Sequence, residues 1–220
     1  MKAAEMGVLL GLILPLWGQE PTFMEAGTHP GAGQNYSRAV WFEGGTLFKH
    51  AYGFTARRAL LGDLRLSPSG LSEAGLRYRQ RVWQRDTGPI DTWRASLQAG
   101  MSWQDGRDPG PGLGVVSTTI RRRHGINLQA DVRAGLAGEE RFVVNASHVY
   151  RIHPVRYRID TPGAWYTMVE SLNRLSTDGE LDGDLAAGLL YEARRWAAEI
   201  SLRWLKEDTV RAAAGLRMLW

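Results

Sequence analysis

Along most of this chain, apolar and polar residues alternate one by one. In the stretch Asp208 to Trp220, the positions Val210, Ala212, Ala214, Leu216, Met218 and Trp220 form an apolar set, and Thr209, Arg211, Ala213, Gly215 and Arg217 a small or polar one. A period of two predicts a β-strand with two unlike faces. Trp93 to Trp103 repeats the pattern, with Trp93, Ala95, Leu97, Ala99, Met101 and Trp103 against Arg94, Ser96, Gln98, Gly100 and Ser102. Glu73 to Trp83 sets Ala74, Leu76, Tyr78, Gln80 and Val82 against Glu73, Gly75, Arg77, Arg79 and Arg81. Ile126 to Leu136 alternates without exception, and Trp196, Ala198, Ile200, Leu202 and Trp204 share another apolar face. Ten residues at about 3.3 Å rise, tilted by about 40°, separate Trp93 from Trp103 by roughly 25 Å along a barrel axis, which is the height of a membrane's apolar band. A soluble strand has no reason to carry an indole at each end of that span.

Other segments extend the series. Tyr36 to Glu43 and Thr46 to Phe54 predict a hairpin around Gly44-Gly45, with imperfect alternation because Arg38 shares a face with Val40. Ala59 to Leu66 restores it, and Ser67-Pro68-Ser69-Gly70 ends that strand. Leu113 to Arg123 is ragged and turns at His124-Gly125; Phe142 to Ile152 follows, with His148 on its apolar face. His153 to Gly163, interrupted by Pro154 and Pro162, reads as a long turn in which Tyr157 to Ile159 extends a strand at most. Trp165 to Asn173, Leu185 to Ala193, Trp196 to Leu205 and the terminal strand complete about twelve strands, ten and fourteen being the alternatives. An even count puts both termini on one side. The outer loops of any size are Gln104 to Gly112 and Ser176 to Gly183.

The expected fold is therefore all-β: a transmembrane, antiparallel, up-and-down barrel over residues 35–220. Composition is compatible with this, because half of every strand would face a polar lumen and keep average hydropathy low. The chain has 220 residues, 44% of them hydrophobic. No run of eighteen apolar residues exists past the N-terminus, which excludes a helical spanning bundle. Met1 to Gly18 reads as a signal peptide, with Lys2 before a charge-free run from Met6 to Trp17; the alternative is a short buried helix. Residues 19–34, rich in Gly, Pro and Thr, read as a periplasmic lead-in. The aromatic C-terminus Trp220 resembles the closing strand of bacterial outer-membrane barrels. That resemblance implies the outer membrane of a Gram-negative-type bacterium, contact with its lipid, and recognition by the barrel-assembly machinery.

Two stretches resemble a particular family. Ala51-Tyr52-Gly53-Phe54-Thr55 before a Leu-rich strand, and Ser69-Gly70-Leu71 with Gly75-Leu76-Arg77-Tyr78-Arg79, are similar to segments of the outer-membrane transporter family linked to phenol-degradation (meta-pathway) operons. Met24-Glu25-Ala26-Gly27-Thr28 is similar to that family's lead-in, whereas Leu71-Ser72-Glu73 stands where the family carries Gly-Asp. The resemblance covers about a quarter of the chain. It implies a twelve-strand barrel and a transport role, with no defined substrate residues.

For chemistry, the polar faces collect Arg77, Arg79, Arg81, Arg94, Arg133, Arg203, Arg211 and Arg217, offset by Glu73, Asp131, Glu192 and Glu199. An arginine-rich lumen predicts a passive channel or facilitator for small organic, preferentially anionic, solutes. The competing reading is a structural barrel whose arginines and carboxylates simply fill the interior. Trp93, Trp103, Trp196, Trp204 and Trp220 are the expected membrane-interface aromatics. An outer-membrane lipid hydrolase is the rival from another class. Ser147 and His148 point to opposite faces and cannot pair, although His148 could meet a serine on an adjacent strand. No catalytic constellation is legible, so the expectation is not an enzyme. With no cysteine, and no two of the five histidines sharing a strand face within reach except through folding, neither metal nor cofactor is expected. Net charge is +4, from 27 basic and 23 acidic residues, too mixed for a nucleic-acid surface.

Overall fold

A computed structural model describes residues 32–43, 45–87, 91–104, 109–134, 140–152, 163–176, 181–193, 196–204 and 210–219. The expected signal peptide, most of the lead-in, the segment 157–159, the loop tips 105–108 and 177–180, and Trp220 lie outside the described residues. The strands are β1 (Asn35–Phe42), β2 (Gly45–Thr55), β3 (Arg58–Ser67), β4 (Gly70–Asp86), β5 (Thr92–Gln104), β6 (Gly110–Arg121), β7 (His124–Ala134), β8 (Glu140–Arg151), β9 (Ala164–Ser176), β10 (Leu181–Glu192), β11 (Trp196–Trp204) and β12 (Val210–Leu219). Each pairs antiparallel with its chain neighbours, and β12 pairs back onto β1, closing one barrel. Closure leaves the ring without an open edge, which a hydrocarbon environment demands.

Alternation sorts the side chains. In β11, Ala197, Glu199, Ser201 and Arg203 are buried inside, while Trp196, Ile200, Leu202 and Trp204 are exposed outside. The outer wall carries Leu76, Leu97, Leu113, Leu128 and Ile200, each at least half exposed. A contiguous apolar surface on that scale belongs in lipid, not water. Accordingly, Leu97→Arg, at the middle of β5, should destabilise the barrel by about 2–4 kcal/mol in urea titrations in vesicles.

The structure explains the irregular segments. Arg38 and Val40 share a face because both point inward and are buried. In β6 the inside is built from Gly110, Gly112, Gly114, Val116, Thr118 and Ile120. Toward the end carrying the termini, therefore, apolar Val116 and Ile120 sit within and Ser117 and Thr119 without, which inverts the expected polarity. Ser117 is served by Trp93, whose Nε1 donates to its Oγ at 3.0 Å. The β6–β7 turn falls on Arg122 and Arg123 rather than on His124-Gly125, because Arg121 already pairs with His124. Arg122 takes a left-handed conformation, φ 54°, and donates its backbone N–H to Asp91 Oδ1 at 2.7 Å. A bulge at Val82 resets β4, so that Arg81 points in and Trp83 points out against Trp93, ring centroids 4.5 Å apart.

Strands also begin earlier than alternation suggested, β4 at Gly70 and β10 at Leu181. Aromatic side chains gather outside at both rims. At the end bearing the termini, Tyr52 meets Phe54, and Tyr191 bridges Trp165 and Trp196 at 4.9 and 5.6 Å. Trp41, Phe142 and Trp204 occupy the far rim, with Trp103 on the same outward face near the end of β5.

Candidate functional site in the barrel lumen

The inward faces of the strands supply the site. Charged side chains there lie flat along the wall, because inward glycines leave room for them. A Cβ on Gly114 would overlap the Asp131 carboxylate, one on Gly215 the Glu199 carboxylate, and one on Gly75 the Asp63 carboxylate. Gly114 is the floor of a buried network. Arg79 donates from Nε and Nη2 to Gln98 Oε1 at 3.2 and 2.9 Å, and Gln98 Nε2 donates to Asp131 Oδ1 at 2.7 Å. Gln129 donates to the other oxygen of Asp131. Gly114→Ala is expected to push Asp131 off its partners and cost about 1–3 kcal/mol in equilibrium unfolding. In the Asp131→Ala background the same change should cost clearly less, since the clash is then absent.

A second network joins the two ends of the chain. Glu199 on β11 accepts from Arg38 on β1, Nε at 3.1 Å and Nη2 at 2.6 Å, and from Arg217 on β12, Nε at 3.2 Å and Nη2 at 2.5 Å. All three side chains are nearly inaccessible. Nearer the far rim, Arg77 pairs with Asp63, and Arg65 faces Glu73 at 3.7 Å.

The β4–β5 wall toward the termini is different in kind. Arg81 donates to Gln84 Oε1 at 2.7 Å, and Gln84 passes its amide to Asp86 at 2.7 Å. Arg94 is 7% exposed, and its buried Nε has no hydrogen-bond partner. Arg94 and Arg57 both lie within electrostatic range of Arg81, with Asp86 the attractive charge nearby. Among the described residues, neither Arg81 nor Arg94 is in a salt bridge. Two arginines outside any described salt bridge therefore face the interior together, with Asp86 the carboxylate that acts on both.

Opposite polarity marks the β8–β11 wall at the same end. Val149, Ala164, Tyr166, Met168, Leu190 and Ala197 form an apolar cluster inside the barrel. Tyr166 donates its hydroxyl to Glu192 Oε2 at 2.9 Å, and the Arg151 guanidinium sits 5.8 Å over the Tyr166 ring. A row of small polar groups, Thr118 to Asn127 at 2.7 Å and Asn127 to Ser147 at 3.2 Å, runs beside it.

The residues singled out in the sequence fall as follows. Arg79, Arg94, Arg203, Arg217, Asp131, Glu192 and Glu199 are buried inside; Arg77, Arg81, Arg211 and Glu73 face inward and are half-buried. Arg133 lies in β7, with its side chain outside the described residues. Trp93, Trp103, Trp196 and Trp204 occupy the outward face. Alternation missed Arg38, Arg151 and Glu170 as lumen residues, because apolar Val40, Val149 and Met168 share their inward faces.

Folding brings two histidines together on the outer wall. His124 and His148, on β7 and β8, meet with Nδ1 and Nε2 3.0 Å apart and their rings stacked. Cross-strand register, invisible to spacing along the chain, brings them together. Among the described residues no three histidine or carboxylate side chains converge as a metal-binding group.

Neither a protein-family model nor any curated protein matches this chain. Solved structures do match. The chain resembles the NanC porin with a TM-score of 0.57 at 10% identity, covering 84% of this chain and 98% of that one. It resembles the KdgM porin in complex with disordered oligogalacturonate with a TM-score of 0.53 at 8% identity, over the same shares of the two chains. The fold is a closed, twelve-strand antiparallel barrel like that of these porins.

Proposed function

We propose that this protein is a passive outer-membrane channel or facilitator for small organic solutes, with anions preferred. The observation that carries the reading is the pair Arg81 and Arg94, inward-facing cations with no salt bridge to a described carboxylate. Fixed positive charge in a low-dielectric tube concentrates anions and lowers their barrier to entry. The structure of the KdgM porin in complex with disordered oligogalacturonate supports a small carboxylated solute for a barrel of this type. The resemblance to transporters linked to phenol-degradation operons is in keeping with a transport role, and the arginine-rich lumen with aromatic or aliphatic carboxylates as the solutes.

On this reading, residues 1–18 are the exported protein's signal peptide, 19–34 a periplasmic lead-in and 35–220 the barrel, folded by the assembly machinery through the strand ending at Trp220. The rim carrying the termini then faces the periplasm. Liposome swelling tests the reading. A small carboxylate should enter vesicles holding the refolded protein faster than a neutral solute of equal size; equal rates would remove the anion preference.

A second reading, a barrel that does not conduct, is favoured by the apolar cluster around Tyr166 and Leu190, which lies inside the barrel at the termini end. Absence of swelling with every solute would favour it.

A further inference from the structure

Ser37 on β1 and His50 on β2 are directly paired across the strands, and both face outward, since Arg38, Ala51 and Gly53 beside them point in. Ser37 Oγ lies 2.8 Å from His50 Nδ1. Across the next pairing, His50 faces Gly62 on β3, where there is no side chain to fill the wall. The dip is part of a groove of about 540 Å³ walled by Phe48, Leu64, Leu76, Leu216 and Met218. That volume is in the range of small-molecule sites, and its lining is apolar. One outward position nearer the terminal rim stands Tyr52, edge-on to Phe54 at 5.2 Å. Aromatics of this kind mark headgroup level. The Ser37–His50 pair thus lies just inside the belt, at the depth of the ester linkages of a glycerolipid. An ionisable side chain facing hydrocarbon is costly to keep, and points to a function.

We propose that Ser37 and His50 form a nucleophile and base that cleave the acyl ester of a glycerophospholipid whose chain lies in this groove. Ser37 Oγ–H donates to Nδ1, leaving the proton of the neutral ring on Nε2, at the groove. In the first step Oγ bonds to the ester carbonyl carbon as its proton passes to Nδ1. The carbon–oxygen bond to the glycerol then breaks, and Nδ1 returns the proton to the departing alkoxide. The resulting acyl-Ser37 is cleaved by a water molecule whose proton goes to Nδ1. A free fatty acid leaves, and the serine regains its proton. Among the described residues no carboxylate orients His50, so turnover is slow and acylation is the sensitive signal.

This activity is independent of conduction, because the dyad lies on the opposite side of the wall from the lumen. The test treats the refolded full chain with a fluorophosphonate probe and locates the adduct by mass spectrometry. Labelling of Ser37 is expected, falling about a hundredfold or more in His50→Gln, and in His50→Asn should the first variant not fold. A folded barrel unlabelled at Ser37, or labelled equally without His50, overturns the proposal. In mixed micelles, fatty acid should be released from phosphatidylglycerol or phosphatidylethanolamine, and Ser37→Ala should abolish release while leaving conductance unchanged. Release from lipopolysaccharide alone, or release that survives Ser37→Ala, overturns it as well.

Discussion

Replacing Glu199 with alanine is expected to lower the stability of the barrel by about 3–5 kcal/mol, the largest loss from any single substitution in the lumen. The carboxylate is the shared partner of Arg38 and Arg217, and none of the three side chains has appreciable exposure to water. Removing it takes away the carboxylate that two buried guanidinium groups share. The position matters as much as the burial, because the triad links β1, β11 and β12 and so pins the seam where the ring closes. Glu199→Gln should be milder, since an amide oxygen still accepts from one arginine. Converting all three residues to apolar side chains of similar volume should recover most of the loss, because it removes the desolvated charges together with their pairing. Urea titration in vesicles followed by tryptophan fluorescence measures all of these. A loss of under about 1 kcal/mol for Glu199→Ala would mean that water reaches the triad.

The second large effect concerns selectivity. Arg81→Glu combined with Arg94→Glu should move the reversal potential in a salt gradient from the anion side to the cation side, with the barrel still folded. These two arginines face the interior without a described salt bridge, so on the channel reading their charge acts on passing ions. Judged by charge and spacing alone, Arg79→Glu looks equivalent. The structure separates the cases: Arg79 is 1% exposed and is fixed through Gln98 to Asp131. Arg79→Glu would therefore set a second carboxylate into that network and destabilise the wall before it altered conduction.

Much of the fold was legible because a transmembrane barrel states itself in a period of two. Trp93 to Trp103 and the terminal strand fall on the faces that alternation assigned them, and the count of about twelve is the observed twelve. The pattern failed where the lumen itself is apolar. Val40 beside Arg38, Ile120 in β6 and Leu190 in β10 are inward residues that blurred the alternation, and their burial inside the barrel is its physical cause. Turn positions shifted for a different reason: pairing continued to the last available residue, moving the β6–β7 turn onto Arg122.

The candidate site was legible only as a list of inward charges. Which arginine is spent on a carboxylate depends on cross-strand register and on glycines such as Gly114 and Gly215 that let a side chain lie flat. Neither can be read along one strand. The same register brings Ser37 to His50 and His124 to His148, pairs of residues distant in sequence that no spacing along the chain connects.

The most direct test of the central claim is single-channel conductance of the refolded mature protein in a planar bilayer, recorded under a salt gradient. The channel reading predicts discrete openings and an anion-selective reversal potential. A folded, inserted barrel that never opens, or one that opens with cation selectivity, would contradict it.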